Sequence, residues 1–132
     1  MDLGPDPIFM YCVVRRSLNL SAGKVGGQCG HAVHYLMRAY HNIWTPIPEA
    51  ELEAHHARRA LTEKWDASPS HGKIILGATD SEFERVKLEN PHHFLVVDLG
   101  HTEVEPNTET TIGLWPMHKS QRSGLLKRLR LL

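Results

Sequence analysis

The chain has 132 residues, with 15 Lys+Arg against 15 Asp+Glu, ten His and two Cys. That size suits a single core of the usual ~100–200 residues, and two cysteines set in apolar stretches exclude a disulfide framework and imply a reducing compartment. No stretch approaches the roughly 20 apolar residues of a membrane span, and Met1 to Pro7 lacks the basic and apolar regions of a signal peptide, so a small cytoplasmic domain is expected.

Residues 1–8 read as a flexible lead and 9–132 as one domain without internal repeats. The run Phe9 to Val14, rich in aromatic and β-branched residues, predicts a strand buried on both faces. Ser21 supplies a helix cap, and from Lys24 onward Val25, Cys29, Ala32, Leu36 and Tyr40 recur at helical spacing as one apolar stripe. Thr45-Pro46-Ile47-Pro48 interrupts the chain. A second helix follows, with Ala50, Ala54, Ala57, Leu61 and Trp65 expected on its inner face. Lys73 to Leu76 reads as a second strand, and Thr79 with Glu82 forms a capping box that opens a short helix through Phe83 and Val86. Phe94 to Val97 is a third buried strand ending at Asp98. Pro106-Asn107 marks a turn and Thr110 to Leu114 a fourth strand. The alternation of strands and helices predicts an α/β fold over a mainly parallel sheet, with ligand sites at the carboxyl ends of its strands.

The zero net charge conceals a pattern. Residues 1–48 carry net +2, residues 49–109 carry six basic groups against thirteen acids for −7, and residues 110–132 carry five basic groups and no acid for +5. If the fold brings the two ends together, a neutral chain still presents a basic face to a polyanion.

Two constellations could carry chemistry. Lys24, Gln28, His31 and Tyr35 line up at spacings of four, three and four, on a helix face expected to lie opposite the apolar stripe. Lys24 stands in the first turn, where unpaired backbone N–H groups already favour an anion. Gly26, Gly27 and Gly30 each weaken a helix by roughly 1 kcal/mol relative to Ala, which suggests close approach by another backbone or by a ligand. The second constellation is Asp98-Leu99-Gly100-His101-Thr102-Glu103. A carboxylate ending a buried strand is partly desolvated, which makes it a better base, and Thr102 could hold a water beside it; capping the turn is its blander use. Cys29, His31 and His34 lie close in sequence, but no second cluster has zinc-ligand spacing, so no metal is expected.

Taken in order, these residues resemble the type 2 peptidyl-tRNA hydrolases of archaea and eukaryotes. The resemblance rests on Val13-Val14-Arg15 with Gly23-Lys24-Val25-Gly26-Gly27-Gln28-Cys29-Gly30-His31-Ala32, on Asp98-Leu99-Gly100-His101-Thr102-Glu103-Val104 with Pro106, and on Thr110-Thr111-Ile112-Gly113-Leu114 with Pro116 and the closing Leu129-Arg130-Leu131-Leu132. It implies a three-layer α/β/α sandwich with a four-stranded mixed, mostly parallel sheet, a homodimer, no cofactor, and hydrolysis of the ester that joins a peptide to tRNA. By position the family's functional set falls on Lys24, Gln28, His31, Asp98, Thr102 and Thr110. Asp98 with Thr102 would activate water, with His31 as the alternative base. Lys24 would stabilise the oxyanion or hold the terminal phosphate, and Gln28 and Thr110 would position substrate. Arg15, Arg16 and Lys119 would grip phosphates. Asn19 and Ala22 stand where the family usually has lysines, and His101 where Arg is common. The alternative is a non-catalytic tRNA-binding or protein-interaction domain of the same fold.

Overall fold

The computed structural model describes residues 4–100 and 103–132. Ten elements follow in order: β1 (Ile8–Arg15), α1 (Ala22–His41), α2 (Leu52–Ala67), β2 (Lys73–Ala78), α3 (Asp80–Glu89), β3 (Phe94–Asp98), β4 (Thr108–Gly113), β5 (Met117–His118), α4 (Gly124–Arg128) and β6 (Arg130–Leu131). The predicted strands and the first three helices are all present, within a few residues of their expected ends.

β1 is the organising strand. It pairs with β2, β4 and β5, and alternate residues feed two cores. Met10, Cys12 and Val14 pack with Val25, Cys29, Ala32 and Leu36 of α1 and with Trp65 of α2. Tyr11 and Val13 pack with Phe83 and Val86 of α3 and with Leu125 and Leu126 of α4. A strand apolar at every position is what two-sided burial requires. At Gly113 a Cβ would lie 2.8 Å from that of Ala32, so the missing side chain lets α1 seat closely on the sheet.

The sheet departs from the expectation in two ways. It holds six strands among the described residues rather than four, because the closing segment adds the two-residue strands β5 and β6. It is not mostly parallel either. Only β1 and β2 run parallel; β1 with β4, β1 with β5, β2 with β6 and β3 with β4 are antiparallel. The reason lies in the connections. Parallel neighbours need a crossover of about a dozen residues or more, which α1 and α2 supply between β1 and β2. No helix separates β3 from β4, and β4 then inserts between β3 and β1.

α2 is also turned from its predicted setting. Ala54 and Ala57 are exposed, whereas Thr62 and Trp65 are buried and Arg58 and Leu61 are half-buried. Ala50 precedes the helix in a single 3-10 turn. An alanine pattern specifies no face, and the Trp65 indole decides the rotation by donating to the Gly72 carbonyl at 2.9 Å. Among the described residues, no helix is long and apolar enough to cross a membrane.

With β3 antiparallel to β4 and β4 antiparallel to β1, the carboxyl ends of β1, β2 and β3 share one edge. The start of α1 lies at the same edge. Asp98 and Lys24 meet there.

Candidate functional site

Ser21 caps α1, its hydroxyl accepting from the Lys24 N–H at 3.3 Å, and this sets the direction in which Lys24 leaves the first turn. The Lys24 side chain, 14% exposed, reaches the Asp98 side chain, 7% exposed, with 2.5 Å between Nζ and Oδ2. Gln28, one turn on, donates from Nε2 to the same oxygen at 3.1 Å. The Gly100 N–H donates to Oδ1 at 2.6 Å. Gly100 has φ +82°, and a Cβ there would strike the Pro106 backbone at 2.5 Å, so only glycine makes this turn. The expected burial of Asp98 is therefore real. An ammonium and two N–H donors face the carboxylate and offset the cost of that burial.

A further link lies behind Gln28. Thr110 donates from Oγ1 to Gln28 Oε1 at 2.5 Å, fixing which end of the amide faces Asp98. Thr110 is placed by a β-bulge. Val96 pairs with Thr111 and Val97 with Glu109, so Thr110 is skipped by the ladder. Both Thr110 and Thr111 are fully buried as a result. Bulges redirect side chains in this way beside functional sites.

Lys24, Gln28, Asp98 and Thr110 thus form one hydrogen-bonded set. Gln28 corrects the helical reading: at 3% exposure it belongs to the buried face of α1 with Val25, Cys29, Ala32 and Leu36, not to a solvated face opposite. His31 lies on the exposed side of α1, outside that set. Thr102 and His101 fall outside the described residues. Arg15 and Arg16 stand at the same edge but are engaged within the fold. Arg15 donates to the Glu109 carbonyl at 2.9 Å and pairs with Asp80 at 3.3 Å, while Arg16 donates to the carbonyls of Arg130 and Leu131 at 3.4 and 2.8 Å. Arg16 thereby ties the basic tail to the end of β1, the juxtaposition that the charge pattern required. Lys119 sits at the opposite end of β1, where its backbone N–H donates to the Pro7 carbonyl.

Glu103 closes the second constellation in the sequence, and the structure supplies its partner, the cap of α1. It accepts from the Ser21 N–H at 2.8 Å and from the Ser21 hydroxyl at 2.5 Å. The Ser21 hydroxyl, then its N–H, and the Lys24 charge beyond hold its carboxyl below the usual glutamate range. An acid 82 residues further along the chain gives no local signal at the helix start. The available hint was the absence of any acid in the first turn of α1, a position that usually attracts one.

The glycines of α1 show no neighbour. A Cβ on Gly26, Gly27 or Gly30 would meet nothing within 4 Å, so no other described part of the chain approaches them. Cys29 is buried against Cys12, while His31 and His34 face outward, so these three do not converge on a common point. The contact with the Cys29 thiol, and then burial, push the Cys12 thiol well above its ordinary range.

The sequence pattern of the peptidyl-tRNA hydrolase PTH2 family matches residues 8–132. The chain belongs to that family. It is similar to the human protein named peptidyl-tRNA hydrolase 2, mitochondrial, with 28% identity over 112 residues, covering 81% of this chain and 54% of the human one. It is also similar to the peptidyl-tRNA hydrolase of Methanocaldococcus jannaschii, 24% identical over 127 residues covering 93% of this chain and 98% of the other. The peptidyl-tRNA hydrolase of Methanopyrus kandleri is 30% identical over 115 residues, covering 83% and 84%. The chain therefore spans about half the length of the mitochondrial relatives and nearly all of the M. jannaschii protein.

Proposed function

We propose that this chain hydrolyses the ester bond of peptidyl-tRNA, releasing peptide and free tRNA. The observation that carries the reading is the buried Lys24–Asp98 pair, held by Gln28 and Thr110 at the start of a capped helix. In the reaction, water adds to the ester carbonyl carbon, the bond from that carbon to the ribose oxygen breaks, and that oxygen takes up a proton to leave as the ribose hydroxyl. Asp98 orients the water and draws off its proton, with Thr102 assigned beside it by the family resemblance. Lys24 and the N–H groups that open α1 face the charge that develops on the carbonyl oxygen. Gln28 and Thr110 keep both groups in register. The exposed setting of His31 favours Asp98 over His31 as base and leaves the imidazole to position the substrate.

The three-layer α/β/α arrangement, a homodimer and action without a cofactor rest on the family resemblance, the cytoplasmic setting on composition, and grip on tRNA through Arg15, Arg16 and Lys119 on the charge pattern. The outward charges of the C-terminal segment, Lys127, Arg128 and Arg130, extend that grip near the Lys24 edge.

Release of peptide from a defined peptidyl-tRNA tests the proposal. Turnover at low salt that is abolished in Asp98→Asn supports it. Binding of tRNA without any turnover by the wild-type chain would replace it with the binding-only alternative.

A further inference from the structure

A second built cavity lies at the far end of the strands from Asp98. Phe94 begins β3 where Asp98 ends it, and Trp115 follows the end of β4 while Thr110 lies near its start. Between α2 and the segment after β4 runs a cleft of about 370 Å³, walled by Leu61, Pro91, Leu114, Trp115, Pro116 and Met117. An adjoining hollow of about 350 Å³ shares Arg58, His92, His93 and Trp115 with it.

Arg58 is the unusual member. Its Nε is buried and has no hydrogen-bond partner among the described residues. The guanidinium lies 5.8 Å from the centroid of the Trp115 ring. Neighbouring Arg59 shows the ordinary arrangement, stacking on Tyr40 at 4.6 Å and donating to the Tyr40 carbonyl. A buried guanidinium N–H without an acceptor costs free energy that an incoming acceptor would recover. Two acids, Glu51 and Glu89, stand along the rims and disfavour a multiply charged ligand. One guanidinium, an apolar wall and acidic rims select a single negative charge on an apolar body.

We propose that this cleft binds an apolar monocarboxylate, with the carboxylate on Arg58 and the apolar body against Leu61, Trp115 and Pro116. A fatty acid and the free C-terminus of an apolar peptide both present that chemistry. The site is separate from the hydrolytic one and stands or falls without it.

The test is titration of isotope-labelled full-length protein with octanoate, with N-acetylphenylalanine, and with N-acetylphenylalanine amide as the uncharged control. Saturable shifts of the Trp115 indole and the Arg58 Nε–H signals are expected with an acid and not with the amide. Response to octanoate alone assigns aliphatic acids; response to N-acetylphenylalanine assigns peptide termini. Arg58→Gln should weaken binding roughly tenfold or more, with Arg58→Lys between the two and peptidyl-tRNA hydrolysis unchanged in both. Equal shifts with acid and amide, or no saturable shift at either residue at millimolar acid, would overturn the proposal. The acid–amide comparison needs no variant, so it holds even if Arg58→Gln fails to fold.

Discussion

Lys24 Nζ stands 2.5 Å from Asp98 Oδ2 at the meeting of the first turn of α1 with the last residue of β3, both side chains largely shielded from water. Pairs in this setting are asymmetric: removing one member strands the other as a buried charge. Lys24→Met is expected to cost about 3 kcal/mol in stability, while Lys24→Met with Asp98→Asn costs much less than the sum of the single changes. Chemical denaturation of the four proteins of the cycle measures the coupling. On the reaction, Asp98→Asn should lower kcat by a factor of about 100 or more with little change in KM. An Asp98→Asn enzyme as fast as the wild type would remove the assigned base.

Glu103 links the Asp98 turn to the cap of α1 through Ser21, and it gives the site a defined acid limit. Its carboxyl titrates below the ordinary glutamate value because the Ser21 hydroxyl and N–H favour the anion, with Lys24 adding to them. A folded-state value below the unfolded one means that the contribution to stability is present above the unfolded value, about 4.3, and is lost as pH falls through the folded one. The Glu103 carboxyl resonance should therefore show a midpoint below the usual glutamate range. In Ser21→Ala, which removes the hydroxyl donor and the cap together, that midpoint should move back up.

Much of this was legible in the sequence for a physical reason: local rules were obeyed. The Phe9 to Val14 run, the Ser21 cap and the Thr79–Glu82 capping box all formed as read, the last with both of its hydrogen bonds. Non-local geometry was not legible. The orientation of α2 depends on the bond from Trp65 to Gly72, and the antiparallel sheet depends on β4 inserting between β3 and β1. Spacing with Lys24, His31 and Tyr35 puts Gln28 on a face opposite the apolar stripe; its burial requires Asp98 and Thr110 from two strands far along the chain. The bond from Glu103 to Ser21 is non-local in the same way.

The glycines of α1 yield a prediction that separates folding from function. Gly27 and Gly30 lie in the helix interior with open space where a side chain would project. Alanine at either position should raise stability by about 1 kcal/mol, or about 4 °C in Tm, because nothing among the described residues resists the methyl group. The same exposed face begins at Lys24, where the substrate is proposed to dock. Gly27→Ala and Gly30→Ala should therefore raise Tm while raising KM for peptidyl-tRNA, with kcat held. A higher Tm with unchanged KM would place the substrate off this face.

Adjacent threonines on β4 provide the sharpest contrast. Thr110 and Thr111 are both fully buried, a consequence of the bulge at Thr110. Thr110 donates to Gln28, whereas the Thr111 hydroxyl has no partner among the described residues. Valine replaces threonine with nearly the same shape, so the two substitutions differ mainly in what becomes of the hydroxyl. Thr110→Val leaves Gln28 Oε1 buried without its donor and should destabilise by about 2 kcal/mol. It should also lower kcat, because the Gln28 amide is then free to turn away from Asp98. Thr111→Val removes a hydroxyl that had been stripped of water without compensation, and should stabilise by about 1 kcal/mol with activity intact. Thr110→Ser, which restores the donor, should recover most of kcat. Denaturation midpoints and single-turnover rates for the three variants read both effects, and equal responses of Thr110→Val and Thr111→Val would refute the positioning role assigned to the Gln28–Thr110 link.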